Sequence, residues 1–488
     1  MVPQANVGIV AAGTYIPKAR IARSVIAAAH AWVAPDLMDR AKGKRAFASW
    51  DEDSISMAVE AARAALPANR RAAVKTLFLA STTLPFADRH NAGVLATALN
   101  LPGGVRSLDI GGCQRAGTSA LCNALALALA GNCPSLVVAA DRRHGRPGSI
   151  QEIQWGDAAA AVVVGTEGVI ARCLGAASNS VDFVDHFRET GNEYDYFWEE
   201  RWVRDEGFRK IIPPVLKESL RKAGIDSGQV KHAIIPLADI KAAQAVATDA
   251  GLSPDAVHDT FAADVGFTGV PHGFLGLAQA LEAAKPGDVI LLAGFGQGCD
   301  ALVFQVTELI AKYRPIISLS QVLAGARNDD AYMKFLSFNA AIPYEWGVRA
   351  ELDQKSALTA LYRNNEMVTG FIAGRCRQTG VVQFPKTRIS VEPGHHAVDS
   401  FDDYPLADEP AKVVSFTSDW LSYSPAPPFT YGHVQFDVGA RLMMEFVDAS
   451  GLKIGTPLRM VFRIKDIDRK RGFRRYFWKA TPIIAEGD

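Results

Sequence analysis

This sequence of 488 residues has no paired cysteine spacing, no excess of charge of either sign and no long apolar run. Its six cysteines (113, 122, 133, 173, 299 and 376) fit free thiols in a reducing compartment rather than a disulfide framework. Lys and Arg total 52, as do Asp and Glu, and no basic run stands out, so nothing points to nucleic acid or an anionic membrane as partner. No apolar segment is long enough to span a bilayer. The opening Met1-Val-Pro-Gln-Ala-Asn has no basic stretch followed by a signal-type apolar one. The expected compartment is the cytoplasm. The length exceeds what one ordinary core takes up and suggests two to four domains.

What is present centres on one cysteine, in Ser107-Leu-Asp-Ile-Gly-Gly-Cys113-Gln-Arg-Ala-Gly-Thr-Ser119. Arg106 to Ile110 has strand composition, the glycines permit a sharp turn, and Thr118 to Ala130 has helical composition. Cys113 is thus expected at a helix N-terminus, where unpaired N–H groups and the helix dipole favour the nucleophilic thiolate. Such a sulfur can carry an acyl group as a thioester. A buried, inert cysteine is the alternative in any apolar stretch. The flanking residues favour the nucleophile.

From residue 6 to about 310, short β-rich runs alternate with Ala-rich helical ones. The runs are Val7–Val10, Thr76–Leu79, Ser135–Val138, Ala161–Val164, Ala233–Ile235 and Val289–Leu292. This alternation predicts an α/β architecture with buried strands. A faint echo links Cys113–Val138 to Phe267–Leu292: each is a turn, an Ala/Leu-rich helix, a marked turn and a strand. After Val306 the chain becomes mixed helical and charged, and from Gly370 it is strand-rich. Alternating runs at Val413–Thr417, His433–Asp437 and Arg441–Val447 suggest a small β-barrel.

The first 310 residues resemble the thiolase superfamily, in the branch of ketoacyl-ACP synthase III and hydroxymethylglutaryl-CoA synthase, and most of all the archaeal form of the latter. The motifs are Asp109-Ile-Gly-Gly-Cys113-Gln-Arg-Ala-Gly117, Ala140-Asp141 with Gly156-Asp157-Ala-Ala-Ala-Ala161, and Asp185-His-Phe-Arg188-Glu-Thr-Gly191. Leu275-Gly-Leu-Ala278, Ala284-Lys-Pro-Gly-Asp288 and Phe295-Gly-Gln-Gly-Cys-Asp300 complete them. The resemblance implies a five-layer αβαβα duplicated core, usually dimeric, in which Cys113 is acylated from a CoA thioester. It divides the chain into thiolase-like halves at 1–170 and 171–312, followed by 313–488 as helical linker, degenerate ribbon and OB-fold. It also implies an oxyanion hole made by the Cys113 N–H and the glycine turn Gly296-Gln297-Gly298, with Gln297 as the second donor.

The sequence departs from the family where a carbon nucleophile would be activated. The synthase III branch places a His and an Asn where this chain reads Pro236-Leu237-Ala-Asp-Ile240 and Val265-Gly-Phe267-Thr-Gly269. The acid/base Glu of hydroxymethylglutaryl-CoA synthase falls at Thr82, and a hydroxyl cannot replace a carboxylate as proton carrier. Thr82, Leu237 and Phe267 are therefore expected in the substrate pocket, with Leu237 and Phe267 making room for a hydrophobic or aromatic acyl group. Histidine suits the vacated proton-carrying task. His90, His144 and His272 are the candidates, while His186, His232 and His258, in polar surroundings, are expected to be exposed.

Residues 374–393, Gly374-Arg-Cys376 through Pro393, resemble the rubredoxin-type zinc ribbon of a small family of acyl-CoA-associated OB-fold proteins. Of four ligand positions only Cys376 keeps a thiol; Thr379, Ser390 and Pro393 hold the others. His395-His396 make a poor substitute, so no zinc is expected. In relatives this module is a separate chain that helps form the CoA or acyl-carrier entrance, and fusion fixes its stoichiometry. Trp420, Tyr423 and Phe429 are conceivable base-stacking residues, but a chain of zero net charge gives that reading little weight.

The expected function is acyl transfer through a Cys113 thioester that makes or cleaves a carbon–carbon bond in a β-keto compound (Claisen or retro-Claisen). The alternatives are an acyltransferase forming an ester or amide, and a non-catalytic scaffold that binds CoA esters.

Overall fold

The strands of the first half are built from Val, Ala and Leu with few polar interruptions, the pattern of strands covered on both faces. The computed structural model, which describes residues 6–131, 133–351, 353, 355 and 357–483, places them in one sheet. Its nine strands are Gly8–Tyr15 (β1), Thr76–Ala80 (β2), Arg106–Ile110 (β3), Ser135–Asp141 (β4), Ala158–Gly165 (β5), Ala171–Ser180 (β6), Val230–Ile234 (β7), Val289–Phe295 (β8) and Gly298–Val306 (β9). Their order is β7-β8-β9-β6-β1-β5-β4-β2-β3.

The sheet is two copies of one pattern. In the first half β2 runs parallel to β4, β4 antiparallel to β5, and β5 antiparallel to β1. In the second, β7, β8, β9 and β6 repeat the same neighbours and senses. Only β3, the edge strand that leads to Cys113, has no counterpart. The seam between the halves is two pairs long, Gly8 with Arg172 and Ile9 with Ala171. Glycine is required there, because a Cβ on residue 8 would lie 2.1 Å from the Ala171 carbonyl oxygen.

Helices complete the layers. Ser54–Ala65 (α1) covers the first half and starts at a capping box in which Asp53 accepts from Ser56 N–H and the Ser56 hydroxyl accepts from Asp53 N–H. Ala116–Gly131 (α2) and His272–Ala283 (α5) join one apolar cluster with strands of both halves, so they form the middle layer. Arg209–Ala223 (α3) and Ile240–Asp249 (α4) pack on β7, β8 and β9 in a second cluster on the other side. The order is αβαβα. The helix–strand echo in the sequence is α2 into β4 and α5 into β8.

The chain divides into two units, one made of the residues up to Ser49 with Asp53–Gly93 and Pro102–Ile342, the other of Trp50–Glu52, Val94–Leu101 and the chain from Pro343. In the second unit, Ala411–Asp419 (β10), Phe429–Phe436 (β11), Arg441–Glu445 (β12), Pro457–Asp468 (β13) and Phe473–Pro482 (β14) form a sheet in the order β12-β11-β10-β13-β14. A bridge from Phe446 to Ala480 brings its two ends together as a barrel. Phe436, Phe462 and Trp478 fill the interior. The tripeptide Trp50–Glu52 adds buried charge to this unit: Lys479 Nζ lies 2.9 Å from Asp51 and Arg463 lies 3.0 Å from Glu52.

A smaller sheet places Ile372–Cys376 between Val382–Gln383 and Phe401–Pro405. Cys376 is buried in a cluster with Ala397 and Phe401, its sulfur 3.4 Å from the Ser400 hydroxyl, while His395 and His396 are exposed. Among the described residues no group of three or more His, Cys, Asp or Glu could hold a metal ion. No helix of the described chain is long and apolar enough to cross a membrane.

Candidate active site

Strand β3 ends at Ile110, and Gly111-Gly112 turn the chain, Gly112 in the left-handed region at φ +93°. Cys113 follows, three residues ahead of the first residue of α2, and its carbonyl accepts from Ala116 N–H at 3.1 Å. The thiol therefore belongs to the turn that feeds the helix rather than to its first turn.

The hairpin between β8 and β9 lies against this turn. A Cβ on Gly296 would be 2.9 Å from both Gln114 N and Arg115 N and 3.4 Å from Cys113 Cβ, so only glycine permits the approach. Gly296 N–H donates to the Gly298 carbonyl at 3.0 Å, which takes Gly296 out of the expected oxyanion hole. Gln297 is held in the left-handed region at φ +52°. Among the described residues neither the Cys113 nor the Gln297 N–H has a partner. Two unpaired amides beside one thiol are what a tetrahedral thioester intermediate needs. Asp300 ties the two turns together by accepting from Arg115 at 3.1 Å, Thr118 at 3.1 Å and Ser119 at 2.6 Å.

Cys113, Gly112, Gly296 and Gln297 open onto a cavity of about 240 Å³ whose other walls are Thr82, Arg143, Asp185, His186, Phe187, Arg188 and Asp195. Most of its lining side chains carry a polar group, Phe187 being the exception, and their apolar stems make up much of the wall. Arg143 and Arg188 share Asp195, the second at 3.1 Å, and the Arg143 guanidinium lies 3.9 Å from the centre of the Trp155 ring. Thr82 belongs to a loop gathered on buried Asp141, which accepts from the Ser81 hydroxyl (2.9 Å), Thr82 N–H (2.8 Å), the Thr82 and Thr83 hydroxyls (3.1 and 2.9 Å) and Val270 N–H (2.9 Å). Burial pushes the Cys122 and Cys299 thiols up to about 12, with Asp300 adding to both, and the Cys173 thiol up to about 11.

The candidate histidines do not gather here. His272 is buried at the start of α5, where its Nδ1 accepts from the Thr268 amide and pairs with the Thr268 hydroxyl, both at 3.2 Å, and burial pushes it down to about 3. His90 is exposed just before the helix Asn91–Ala98, and His144 is half-buried; neither lines the cavity. Leu237 is packed in the second apolar cluster. Phe267 lines a separate void of about 10 Å³, scarcely one water, that reaches Gln114 and Thr118. Of the three expected pocket residues only Thr82 faces the cavity.

The histidine that does is His186, expected on the surface and here only 14% exposed. It lies in a short hairpin pairing His186–Phe187 with Tyr196–Phe197, stacked on Phe197 with ring centres 5.1 Å apart. Its Nδ1 is 3.0 Å from Asp185 Oδ2 and its Nε2 is 3.2 Å from the Gln114 amide. The signal in the sequence was the Asp185-His186 pair inside a family motif. His232 and His258, likewise expected to be exposed, bond to each other at 2.8 Å and are largely enclosed.

The family model "3-Oxoacyl-[acyl-carrier-protein (ACP)] synthase III C terminal" matches residues 220–306, and "ChsH2, C-terminal OB-fold domain" matches 404–463. The hydroxymethylglutaryl-CoA synthase of Methanopyrus kandleri is 30% identical over 328 residues, covering 64% of this chain and 91% of the relative. Among solved structures, 3-oxoacyl-(acyl carrier protein) synthase III from Pseudomonas aeruginosa superposes with TM-score 0.55 at 22% identity, covering 62% of this chain and 98% of that one. A hydroxymethylglutaryl-CoA synthase complexed with CoA gives 0.60 at 15% identity, covering 72% and 94%. With its duplicated αβαβα core, followed in sequence by the barrel, this chain belongs to the thiolase-superfamily acyltransferases, in the branch of synthase III and hydroxymethylglutaryl-CoA synthase, and carries a ChsH2-type OB-fold domain.

Proposed function

We propose that this chain is an acyl-CoA-dependent acyltransferase working through a thioester on Cys113, and that it makes or cleaves a carbon–carbon bond in a β-keto compound. The observation that carries the reading is the convergence of Cys113 with two unpaired amides, its own and that of Gln297, on one cavity. The sulfur attacks the carbonyl of a CoA thioester, the amides hold the oxyanion, and CoA leaves as its thiol. The carbon–carbon step is the chemistry of the condensing relatives.

A second reading, transfer to an O–H or N–H acceptor, is favoured by one observation. Where the synthase III branch has its His and Asn, Leu237 is core and Phe267 borders a void of about 10 Å³, so neither position carries a polar side chain to polarise a second thioester. A purely binding role gives no reason for the paired amide arrangement. A homodimer through the core is part of the proposal, since β3 presents one open edge beside the Cys113 turn.

The test is intact-protein mass spectrometry after incubation with acyl-CoA and β-ketoacyl-CoA thioesters, alongside Cys113→Ala. An acyl adduct absent from the variant supports the reading; no adduct from any donor overturns it. Adding CoA to β-ketoacyl-CoA and finding two shorter thioesters supports cleavage, while turnover only with amine or alcohol acceptors supports the second reading.

A further inference from the structure

The acyl transfer proposed above moves a proton, and the residues that do this in the relatives are replaced: Thr82 stands for the glutamate, Leu237 and Phe267 for the histidine and asparagine. Thr82 commits its hydroxyl to Asp141, and His272 is buried away from the cavity with a strong preference for the neutral ring. Of the histidines, only His186 lines the space that Cys113 opens onto.

Its surroundings specify how it works. Arg143 is a donor only, and with the Gln114 amide oxygen turned toward it the contact is 2.7 Å; the same oxygen then faces His186 Nε2 at 3.2 Å. On the other side Nδ1 faces the Asp185 carboxylate at 3.0 Å, off the line of a directed hydrogen bond, and Asp185 Oδ1 is buried with no partner among the described residues. Nε2 thus meets an acceptor in the Gln114 oxygen, while Nδ1, beside the Asp185 carboxylate, makes no directed hydrogen bond among the described residues. Phe197, stacked on the ring face, fixes its plane.

We infer that His186 is the proton carrier of Cys113 and that Asp185 is its positioning residue. In acylation the Cys113 sulfur bonds to the acyl carbon and the bond from that carbon to the CoA sulfur breaks. The proton given up by the cysteine passes through His186 to the departing CoA sulfur, so that thiol plus thioester gives thioester plus thiol. In transfer to the acceptor, the ring takes the acceptor's proton and returns one to Cys113. This inference rests on Cys113 being the acylated residue and adds which group handles the proton.

The half-reaction can be followed without knowing the acceptor, by exchange of labelled CoA into whichever acyl-CoA forms the adduct. His186→Gln should slow exchange about 100-fold or more, in the range of general acid–base catalysis, while the Cys113 adduct still reaches its equilibrium level. Free imidazole should restore exchange in His186→Ala. Asp185→Asn should slow the wild-type background and add nothing in the His186→Ala background, as for residues acting as one unit. Thermal melting of each variant reports whether it is folded. Unchanged exchange in a folded His186 variant, or a loss that imidazole does not restore, overturns the inference. Absence of any adduct on the unaltered protein is a different result, and overturns the Cys113 reading instead.

Discussion

The side-chain amide of Gln114, the residue next to Cys113, lies 3.2 Å from Nε2 of His186, although the two are 72 positions apart in the chain. The thiol's neighbour and the cavity's histidine are thus coupled through one side chain, which Arg143 also holds. Four features of this unit and of the barrel lead to measurable outcomes.

Asp141 accepts five hydrogen bonds from two separate loops. Asp141→Asn turns one of its acceptors into a donor that faces N–H or O–H groups. We expect a loss of about 1.5 to 3 kcal/mol in denaturant unfolding, the worth of a buried hydrogen bond to a charged group. Acyl adduct formation should slow with it, because the Thr82 wall of the cavity is no longer held.

Gln297 pays for its place in the hairpin with a left-handed backbone at φ +52°. Gln297→Gly relieves that strain and keeps the N–H, so stability should rise by about 0.5 to 1 kcal/mol with the Cys113 adduct retained. Gln297→Val should be destabilising at the same site. Thermal melting and intact mass measured together separate the two effects.

His272 sets a pH dependence of stability. The native ring stays neutral down to about 3, whereas the unfolded ring takes up a proton below its ordinary value near 6.5. The contribution is complete above that ordinary value and is lost as pH falls toward 3, by about 1.4 kcal/mol per pH unit. Comparing denaturant unfolding of the wild type with His272→Gln between pH 6.5 and 4.5 should show a shallower decline in the variant, by about one proton.

In the barrel, Lys479 is 3% exposed and lies 2.9 Å from Asp51 and 3.1 Å from Glu445. Lys479→Met removes the cation that Asp51 and Glu445 share, Glu445 keeping Lys465, and should cost about 3 to 5 kcal/mol. The double variant Lys479→Met with Asp51→Leu should recover much of that loss in the same unfolding experiment.

The sequence was most legible where composition and geometry coincide. Arg106–Ile110 is the strand that its residues suggest, Thr118–Ala130 lies within α2, and all six apolar runs of the first 310 residues fall on strands of the sheet. Strand β6, Ala-Arg-Cys-Leu-Gly-Ala-Ala-Ser-Asn-Ser, is hidden by small and polar residues that are tolerated because β9 and β1 supply its partners. The site was readable at Cys113 and Thr82 and opaque at His186. A histidine among Asp, Arg and Glu reads as solvated, and only the pairing of residues 186–187 with 196–197 folds it inward. Phe267 misled in the opposite sense: an apolar residue in place of a polar one suggested room for a ligand, and it borders a void of only about 10 Å³ instead.

The two-pair seam between the halves of the sheet bears on more than architecture. One amide of the proposed oxyanion hole belongs to the first half, at Cys113, and the other to the second, at Gln297, so the hole exists only while the duplicated halves stay aligned. Substitutions along this joint, Gly8 foremost, would show up as misaligned donors before they show up as unfolding, which makes catalytic rate a finer gauge of that alignment than any melting curve.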